Sequence, residues 1–349
     1  MTELGGWALL EELGRGGMGV VYRARRATDG RMAALKTVSG SASVQIDALR
    51  QEIRALAQLR HPSLPEVLDE GTDDHRAWYA MTLVDAPDLA TLWSADVPTT
   101  SATYTVDLED TGAPGVPAPR PEGSGPRRDW QRWLPTMAQL AAALAHVHGA
   151  GLVHGDLKPG NVLVPSPERP VLVDFGLTLR LRGRDDIHQV AASARSRGTP
   201  AYLAPERGSG RPWDLRADLY SLGCMLYELV VGHPPYLGGT RQLLDQHRRS
   251  PVPSARQHVA DLPPQLDTLI TRLLAKDPRH RPTHAAEVAR ALGLDLPDPS
   301  PSFFRARLHG REEPLQQLLS GLAEATAGHV RALAIRGDGG VGKTRLGMA

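Results

Sequence analysis

Residues 154–164 read HGDLKPGNVLV, a stretch that places an acid, a base and an amide within six residues, at Asp156, Lys158 and Asn161. Residues 171–179, VLVDFGLTL, put Asp174 directly after an apolar run that predicts a buried strand. Because Mg²⁺ prefers oxygen ligands, Asn161 and Asp174 are candidate metal ligands. We expect Asp156 to accept or orient the proton of an attacking hydroxyl and Lys158 to neutralise a transferring phosphoryl group. The order and spacing of these four residues predict metal-assisted phosphoryl transfer.

A glycine cluster occupies residues 13–21, LGRGGMGVV, where Gly14, Gly16 and Gly19 form a G-x-G-x-x-G pattern and Val21 follows two places on. Glycines allow a backbone turn to approach phosphates and point N–H groups at them. The same pattern occurs in dinucleotide sites, but there it opens a helix, whereas here alternating apolar residues on both sides predict strands. We therefore predict a hairpin whose turn covers phosphates.

Two further charged residues complete this candidate site. Lys36 ends the run AALK on the next predicted strand, residues 32–38, and we expect its ammonium group to lie on nucleotide phosphates. Glu52 lies in a predicted helix, residues 47–59, in which leucine and isoleucine recur at helical spacing. The sequence predicts an ion pair in which Glu52 holds Lys36 in place.

Composition limits the classes of partner and compartment. The 349 residues include 40 lysines and arginines against 39 acids, and this balance gives no general electrostatic case for nucleic acid or an anionic membrane. The single cysteine, Cys224, cannot form an internal disulfide, which suits a reducing compartment. The N-terminus lacks the features of a secretory signal, and the longest apolar run, residues 222–231, is too short for a bilayer of about 30 Å. We expect a cytoplasmic protein with no membrane segment in this chain.

The predicted elements divide the chain into a strand-rich early part and a helix-rich later part. Further helices are predicted at residues 133–148, 215–231, 265–275 and 283–292, and a short strand pair at 161–164 and 170–176. Residues 94–129 are rich in proline and glycine and predict a flexible surface insertion, and residues 294–304 predict a linker. The fold class is therefore α+β.

Taken together, residues 7–292 resemble a eukaryotic-type (Hanks-type) bacterial serine/threonine protein kinase. The resemblance rests on GRGGMG, AALK, Glu52, HGDLKPGN, DFG, GTPAYLAPE, DLYSLGCMLYEL and DPRHRP. It implies a two-lobed fold with a small β-rich lobe and hinge at residues 1–84 and a large helical lobe at 85–293. It also implies transfer of the γ-phosphoryl group of ATP to protein serine or threonine hydroxyls in signal transduction, with autophosphorylation and with Mg²⁺ or alternatively Mn²⁺.

The resemblance implies a role for each matching position. ATP binding falls to Gly14, Gly16, Gly19, Val21, Ala34, Lys36, Met81, Thr82, Val84, Asn161 and Asp174, with Met81 as gatekeeper and residues 82–84 as hinge. Catalysis falls to Asp156, Lys158, Lys36 and Glu52. Structural or regulatory roles fall to His154, Phe175, Gly176, Thr199, Glu206, Asp218 and Arg281, with Glu206 and Arg281 as a buried ion pair and Asp218 bracing the catalytic loop.

Gly155 departs from the family pattern, which usually has an arginine between the histidine and the aspartate. Because that arginine normally pairs with a phosphate on the activation loop, a phosphorylated Ser193, Ser196 or Thr199 would lose its main internal partner. We expect constitutive competence or control by another domain. Two alternatives remain: a small-molecule phosphotransferase of the aminoglycoside or choline type, and a pseudokinase scaffold that regulates an attached ATPase. GTPAYLAPE, DLYSLG and Lys158 favour a protein substrate, and the scaffold would require the loss of Lys36, Asp156 or Asp174.

The last segment carries a second phosphate-binding pattern. Gly337, Gly342, Lys343 and Thr344 form G-x-x-x-x-G-K-T after an apolar predicted strand. Together with a lead-in helix, it resembles the start of a P-loop ATPase of the AAA or STAND type, truncated here within residues 305–349. We expect this regulatory domain to control the kinase within the same protein.

Overall fold

The computed structural model describes residues 3–16, 19–38, 49–50, 52–53, 56–57, 59–73, 76–96, 129–175, 179–180, 198–296, 316–318, 320–321 and 324. The chain divides into two units, Met1–Pro299 and Ser300–Ala349. In the second unit, residues 316–318, 320–321 and 324 have helical backbone. The elements below belong to the first unit.

An antiparallel sheet forms the first part of this unit. Its strands are β1 Glu3–Leu4, β2 Trp7–Gly16, β3 Gly19–Arg26, β4 Met32–Thr37, β5 Val67–Asp73 and β6 Arg76–Thr82, in the order β1-β2-β3-β4-β6-β5. The predicted glycine hairpin is the β2–β3 pair, in which Gly14 lies opposite Val21 and Gly16 opposite Gly19. The predicted strand at residues 32–38 is β4.

The two faces of the sheet have different partners because successive side chains of a strand point to opposite faces. On β6, Trp78 and Ala80 belong to a small apolar cluster on one face, together with Trp7 of β2. Tyr79 and Met81 belong to the main core on the other face. The alternation therefore turns one face of the sheet toward the rest of the molecule.

Helices dominate the second part, as the sequence predicts. They are α1 Leu89–Ala95, α2 Trp130–Gly149, α3 Pro205–Gly208, α4 Arg216–Val231, α5 Thr240–Arg249, α6 Pro264–Leu273 and α7 Ala285–Ala291. In the described residues of the predicted 47–59 helix, residues 49–50, 52–53 and 56 are helical. Helices α1, α3 and α5 were not predicted from the sequence.

The two ends of the predicted insertion, residues 94–96 and 129, lie at helix ends in the structure. Helix α1 continues through Ala95 and Asp96 caps it, while Asp129 caps the start of α2 through a hydrogen bond from the amide of Arg132. Residues 94–96 and 129 thus belong to helices and their caps: the backbone amide of Asp96 donates to the carbonyl oxygen of Leu92, and the side chain of Asp129 accepts from the first turn of α2. Residues 97–128 lie outside the described part of the chain.

Helix α4 is buried around most of its circumference and forms the centre of the helical part. Its C-cap is Gly232, which has a left-handed φ of 96° that favours glycine. Gly223 in the middle of α4 allows close packing against Leu273 of α6. Cys224 is fully buried in this packing.

Short strands border the loops that carry the candidate site. β7 Leu152–Val153 pairs with β10 Leu179–Arg180, and β8 Val162–Ser166 pairs with β9 Arg169–Leu172. The segment HGDLKPGN thus lies between β7 and β8, and Asp174 follows β9 by two residues. Within the described residues, no helix combines the length and the apolar character needed to cross a membrane.

Candidate active site

A cavity of about 660 Å³ opens between the sheet and the helical part. Most of the predicted nucleotide and catalytic residues line it: Gly14, Gly19, Val21, Ala34, Lys36, Glu52, Met81, Thr82, Val84, Asp156, Lys158, Asn161, Asp174 and Thr199. Leu83 of the predicted hinge lines it too. Leu13, Arg15 and Leu163 also line the cavity and were not predicted from the sequence. Residues more than 100 positions apart in the chain therefore share one space.

The glycine hairpin approaches β4 too closely for a side chain at Gly19. A Cβ atom there would lie 2.3 Å from the carbonyl oxygen of Thr37, and the φ of Gly19 is 130°. Only glycine adopts this conformation without strain. The close approach brings Gly19, the first residue of β3, against β4, and Gly19 and Lys36 both line the cavity.

Lys36 lies between two carboxylates. Its Nζ is 2.9 Å from Oε2 of Glu52 and 2.7 Å from Oδ1 of Asp174. Lys36 and Glu52 are buried, whereas the side chain of Asp174 is 37% exposed toward the cavity. Burial alone would lower the pKa of Lys36, but the two carboxylates outweigh it and raise that pKa. The lysine thus remains a fixed positive charge at the cavity wall.

The pKa of Asp174 shifts in the opposite direction to that of Lys36. Burial would raise its pKa, but the ammonium group of Lys36 lowers it below the ordinary value. Among the described non-glycine residues, Asp174 is the one with positive φ, at 65°. Such a backbone conformation in a non-glycine residue clusters at functional sites, where the surroundings maintain it.

Glu52 accepts two further hydrogen bonds that the sequence did not predict. The hydroxyl of Tyr79 and the backbone amide of Phe175 each donate to its Oε1 at 3.0 Å. Tyr79 looks like an ordinary core residue in the apolar run WYAM, so no sequence signal distinguishes it. Glu52 therefore connects β4, β6 and the segment that carries Asp174.

The HGDLKPGN segment folds around the carboxylate of Asp156. Its Oδ2 accepts from Nζ of Lys158 at 2.9 Å, and its Oδ1 accepts from the amide of Thr199 at 3.0 Å. Nδ2 of Asn161 donates to the carbonyl oxygen of Asp156 at 2.7 Å. The acid is thus oriented by donors from both of its neighbouring loops.

The oxygen donors of the cavity fit a hard cation that also binds phosphate. Because the amide nitrogen of Asn161 is engaged with Asp156, its oxygen is the atom that it can offer to a cation, and Asp174 adds a carboxylate. In the described part of the chain, no group of three or more His, Cys, Asp or Glu side chains could hold a metal by itself. Mg²⁺ typically binds through one or two carboxylates together with substrate phosphates, and the residues fit that arrangement.

Asp218 of α4 holds the same segment through hydrogen bonds to its backbone. Its Oδ2 accepts from the amide of His154 at 2.8 Å, and its Oδ1 accepts from the amide of Gly155 at 2.9 Å. Nε2 of His148 lies 2.9 Å from Oδ2. Burial would raise the pKa of Asp218, but the hydrogen bonds from His148 and from the amide of Gly155 help to lower it. His148 was not predicted as a site residue from the sequence.

Other predicted structural residues also make contacts. Nη1 of Arg281 lies 2.7 Å from Oε1 of Glu206, and both side chains are buried. Nε2 of His154 lies 3.1 Å from the carbonyl oxygen of Val173, and its ring contacts Phe175 edge-on. The predicted residues Gly176, Gly337, Gly342, Lys343 and Thr344 lie outside the described residues, as do Ser193 and Ser196; Gly16 is described only as the last residue of β2.

Comparisons with known proteins agree with this geometry. A family model described as the protein kinase domain matches residues 7–291. The chain is 34% identical over 311 residues to the DNA damage-responsive serine/threonine-protein kinase RqkA of Deinococcus radiodurans, covering 88% of this chain and 42% of that protein. It is 31% identical over 299 residues to the serine/threonine-protein kinase PknF of Mycobacterium tuberculosis, covering 83% of this chain and 56% of that protein.

A solved structure has a similar fold. It is a crystal structure of a point mutant of the PknI kinase domain from Mycobacterium tuberculosis, with 26% sequence identity and a TM-score of 0.57. The match covers 83% of this chain and 96% of that one. The chain spans about half the length of the curated relatives described above.

Proposed function

This chain belongs to the protein kinase domain family, and from that premise we propose that it transfers the γ-phosphoryl group of ATP to serine and threonine hydroxyls of proteins. The observation that carries the proposal is the convergence of Lys36, Asp156, Asn161 and Asp174 on one cavity. These groups come from a strand, two loops and a 3-10 turn, and phosphoryl transfer needs them together. ATP is the proposed nucleotide.

Nucleotide binding is assigned to the wall of the cavity that the sheet forms. Residues 82–84 are proposed to bind adenine beside Met81, at the end of β6. The hairpin around Gly19 covers the phosphates, and Lys36 neutralises part of their charge. Because Glu52 holds the ammonium group on the opposite side, Lys36 is oriented before ATP arrives.

A divalent cation is assigned to Asn161 and Asp174. Mg²⁺ is proposed, with Mn²⁺ as an alternative, and when bound it supplies positive charge that stabilises the phosphate oxygens. Asp174 is held ready for this role because Lys36 keeps its carboxylate ionised.

The chemical step is assigned to the carboxylate of Asp156. It orients the hydroxyl of a substrate serine or threonine and accepts its proton as the oxygen forms a bond to the γ-phosphorus. The bond from that phosphorus to the bridging oxygen breaks, and ADP leaves with the electron pair. Lys158, 2.9 Å from Asp156, is placed to neutralise charge on the transferred group.

Several finer assignments accompany this proposal. The small lobe and hinge are assigned to residues 1–84, the helical lobe to 85–293 and the linker to 294–304. Autophosphorylation is proposed, as is control within the same protein by the domain that begins in residues 305–349. That domain is proposed to start with the P-loop ending at Thr344.

The test is incubation of the full chain with radiolabelled ATP and Mg²⁺, a protein substrate, and an aminoglycoside and choline in parallel. We expect label on protein serine or threonine for the wild type and for Asp245→Ala, an exposed surface control, and none for Asp174→Ala. Mass spectrometry then assigns the phosphorylated residues. Label on the aminoglycoside or choline with none on protein would refute the proposal in favour of a small-molecule phosphotransferase. ATP binding without transfer to any acceptor would favour a scaffold.

A further inference from the structure

Arg207 of α3 is a buried cation close to the candidate catalytic loop. Only 6% of the residue is exposed, and its guanidinium carbon lies 4.4 Å from the ring centroid of Trp213. Its Nη1 donates a hydrogen bond to the carbonyl oxygen of Gly155. The stacking and the hydrogen bond together fix the plane of the guanidinium group.

The peptide unit that Arg207 contacts is the one that precedes Asp156. The carbonyl of this unit accepts from Arg207, and its N–H, which belongs to Asp156, donates to Nδ1 of His154 at 3.2 Å. The amide of Gly155 itself is held by Asp218. Since three partners hold two consecutive peptide units, the direction in which Asp156 leaves the backbone is determined by groups outside its own side chain.

Three carboxylates offset part of the effect of burying Arg207. Burial lowers the pKa of Arg207, and the carboxylates of Asp218, Asp156 and Glu206 reduce this shift without reversing it. A buried cation is costly unless such partners offset the loss of water. The guanidinium is therefore part of a charge cluster centred on the catalytic loop.

The same cluster borders the segment that contains Thr199. A Cβ atom placed on Gly198 would lie 3.6 Å from Oδ1 of Asp156 and 3.8 Å from Nη1 of Arg207. Both charged groups therefore lie within 4 Å of one backbone position. Gly198 has a φ of 135°, a conformation that also favours glycine.

We propose that Arg207 is a positioning residue for phosphoryl transfer: it holds the Gly155–Asp156 peptide with a permanent charge, so that Asp156 is oriented without a phosphate on the activation segment. The inference rests on the proposed function and extends it to the regulation of the same site. Gly155 has no side chain to recruit a phosphate, and it adopts a φ of 84° that suits glycine. Arg207 reaches this loop from α3 through a contact that needs no modification of the protein.

The experiment compares Arg207→Gln, Arg207→Lys and the exposed control Arg249→Gln in the full chain. We expect Arg207→Gln to lower kcat by about 10- to 100-fold, because misorientation of a catalytic group by about 1 Å has effects of this size. KM for ATP and the affinity for ADP are expected to change less than about twofold, since the ATP-binding wall is intact. Arg207→Lys should recover part of kcat, and Arg249→Gln should match the wild type.

A second arm tests independence from phosphorylation. Wild-type protein treated with phosphatase, and shown by mass spectrometry to lack phosphate, should keep kcat within about threefold in the initial phase of the reaction. Two results would overturn the inference and leave the proposed function intact. One is an active wild type whose kcat falls at least about tenfold on this treatment. The other is a kcat of Arg207→Gln equal to that of an active wild type. If Arg207→Gln fails to fold, Arg207→Lys and the phosphatase arm decide in its place. A wild type that phosphorylates no protein would refute the proposed function itself.

Discussion

The hydroxyl of Tyr79 donates a hydrogen bond to Oε1 of Glu52 at 3.0 Å, inside the buried core that joins the sheet to the helical part. The same oxygen accepts from Lys36 and from the amide of Phe175. Because the carboxylate is almost fully buried, the loss of one donor leaves a buried acceptor unsatisfied, which costs free energy. Tyr79 therefore contributes to the position of the glutamate that orients Lys36.

Tyr79→Phe is expected to lower kcat/KM for ATP by about 3- to 10-fold, a loss of about 1 kcal/mol for one buried hydrogen bond. The ring stays in place, so the packing of β6 should be retained. Steady-state kinetics at varied ATP concentration provides the measurement. Tyr227→Phe, a buried tyrosine that does not line the cavity, is the matched control. Equal kinetics for both variants would show that the Tyr79 hydroxyl has no role in the site.

Removal of Glu206 is expected to destabilise the protein by about 3–5 kcal/mol, because it leaves the fully buried guanidinium of Arg281 without its carboxylate. Arg281→Met should have a cost of similar size for the complementary reason. The double variant is expected to lose less than the sum of the two single variants. Urea unfolding of the four proteins measures the coupling, and strictly additive losses would contradict a paired role.

Acid stability is expected to depend on His247. Burial and then the charge of Lys276 lower the pKa of His247 from 6.5 to about 4, and its ring contacts Tyr220 and Tyr236. Below pH 6.5 the unfolded chain gains a proton at this site that the folded protein does not bind, so stability falls as pH drops from 6.5 toward 4. The loss attributable to His247 is at most on the order of 3 kcal/mol.

The unfolding free energies of wild type and His247→Gln between pH 4 and 8 test this prediction. The difference between the two proteins should shift in favour of the variant as pH falls through this window. Other groups that titrate contribute to both proteins and cancel in the difference. Two parallel curves would exclude His247 as a source of the pH dependence.

Gly223→Ala is expected to destabilise the helical part by about 1–3 kcal/mol, although alanine favours a helix by about 1 kcal/mol over glycine. The added carbon would lie 2.7 Å from Cβ of Leu273, so α4 and α6 would have to separate. Gly239→Ala, where nothing lies within 4 Å of the added carbon, should have a much smaller effect. Thermal unfolding of both variants measures the difference, and equal midpoints would contradict the close packing.

Much of the architecture follows from local sequence patterns. The glycine hairpin, β4 and the long helices show clear periodicity, and the short strands beside Asp174 are apolar runs bounded by turn residues. The polar helix α5 and the short helix α1 have no comparable pattern, which explains why they were not identified. The predicted insertion begins at residue 94, and for the same reason the sequence does not show that α1 continues to Ala95.

The contacts of the site divide along a similar line. Lys36, Glu52, Asp156 and Asp174 can be grouped from sequence because the chemistry requires those residue types at recognisable spacings. Tyr79 and Arg207 cannot, since their contacts depend on which side chains meet across strands and loops that are distant in the chain. A tyrosine in an apolar strand and an arginine beside a motif look ordinary until the tertiary structure is known.

The hydrogen bonds that the backbone amides of His154 and Gly155 donate to Asp218 have a consequence for protein engineering. The backbone conformation of residues 154–161 depends on Asp218 of α4, a helix that begins more than 50 positions later in the chain. Grafting those eight residues onto another scaffold would transfer the reactive groups without the contacts that fix their geometry. A successful graft therefore has to include α4.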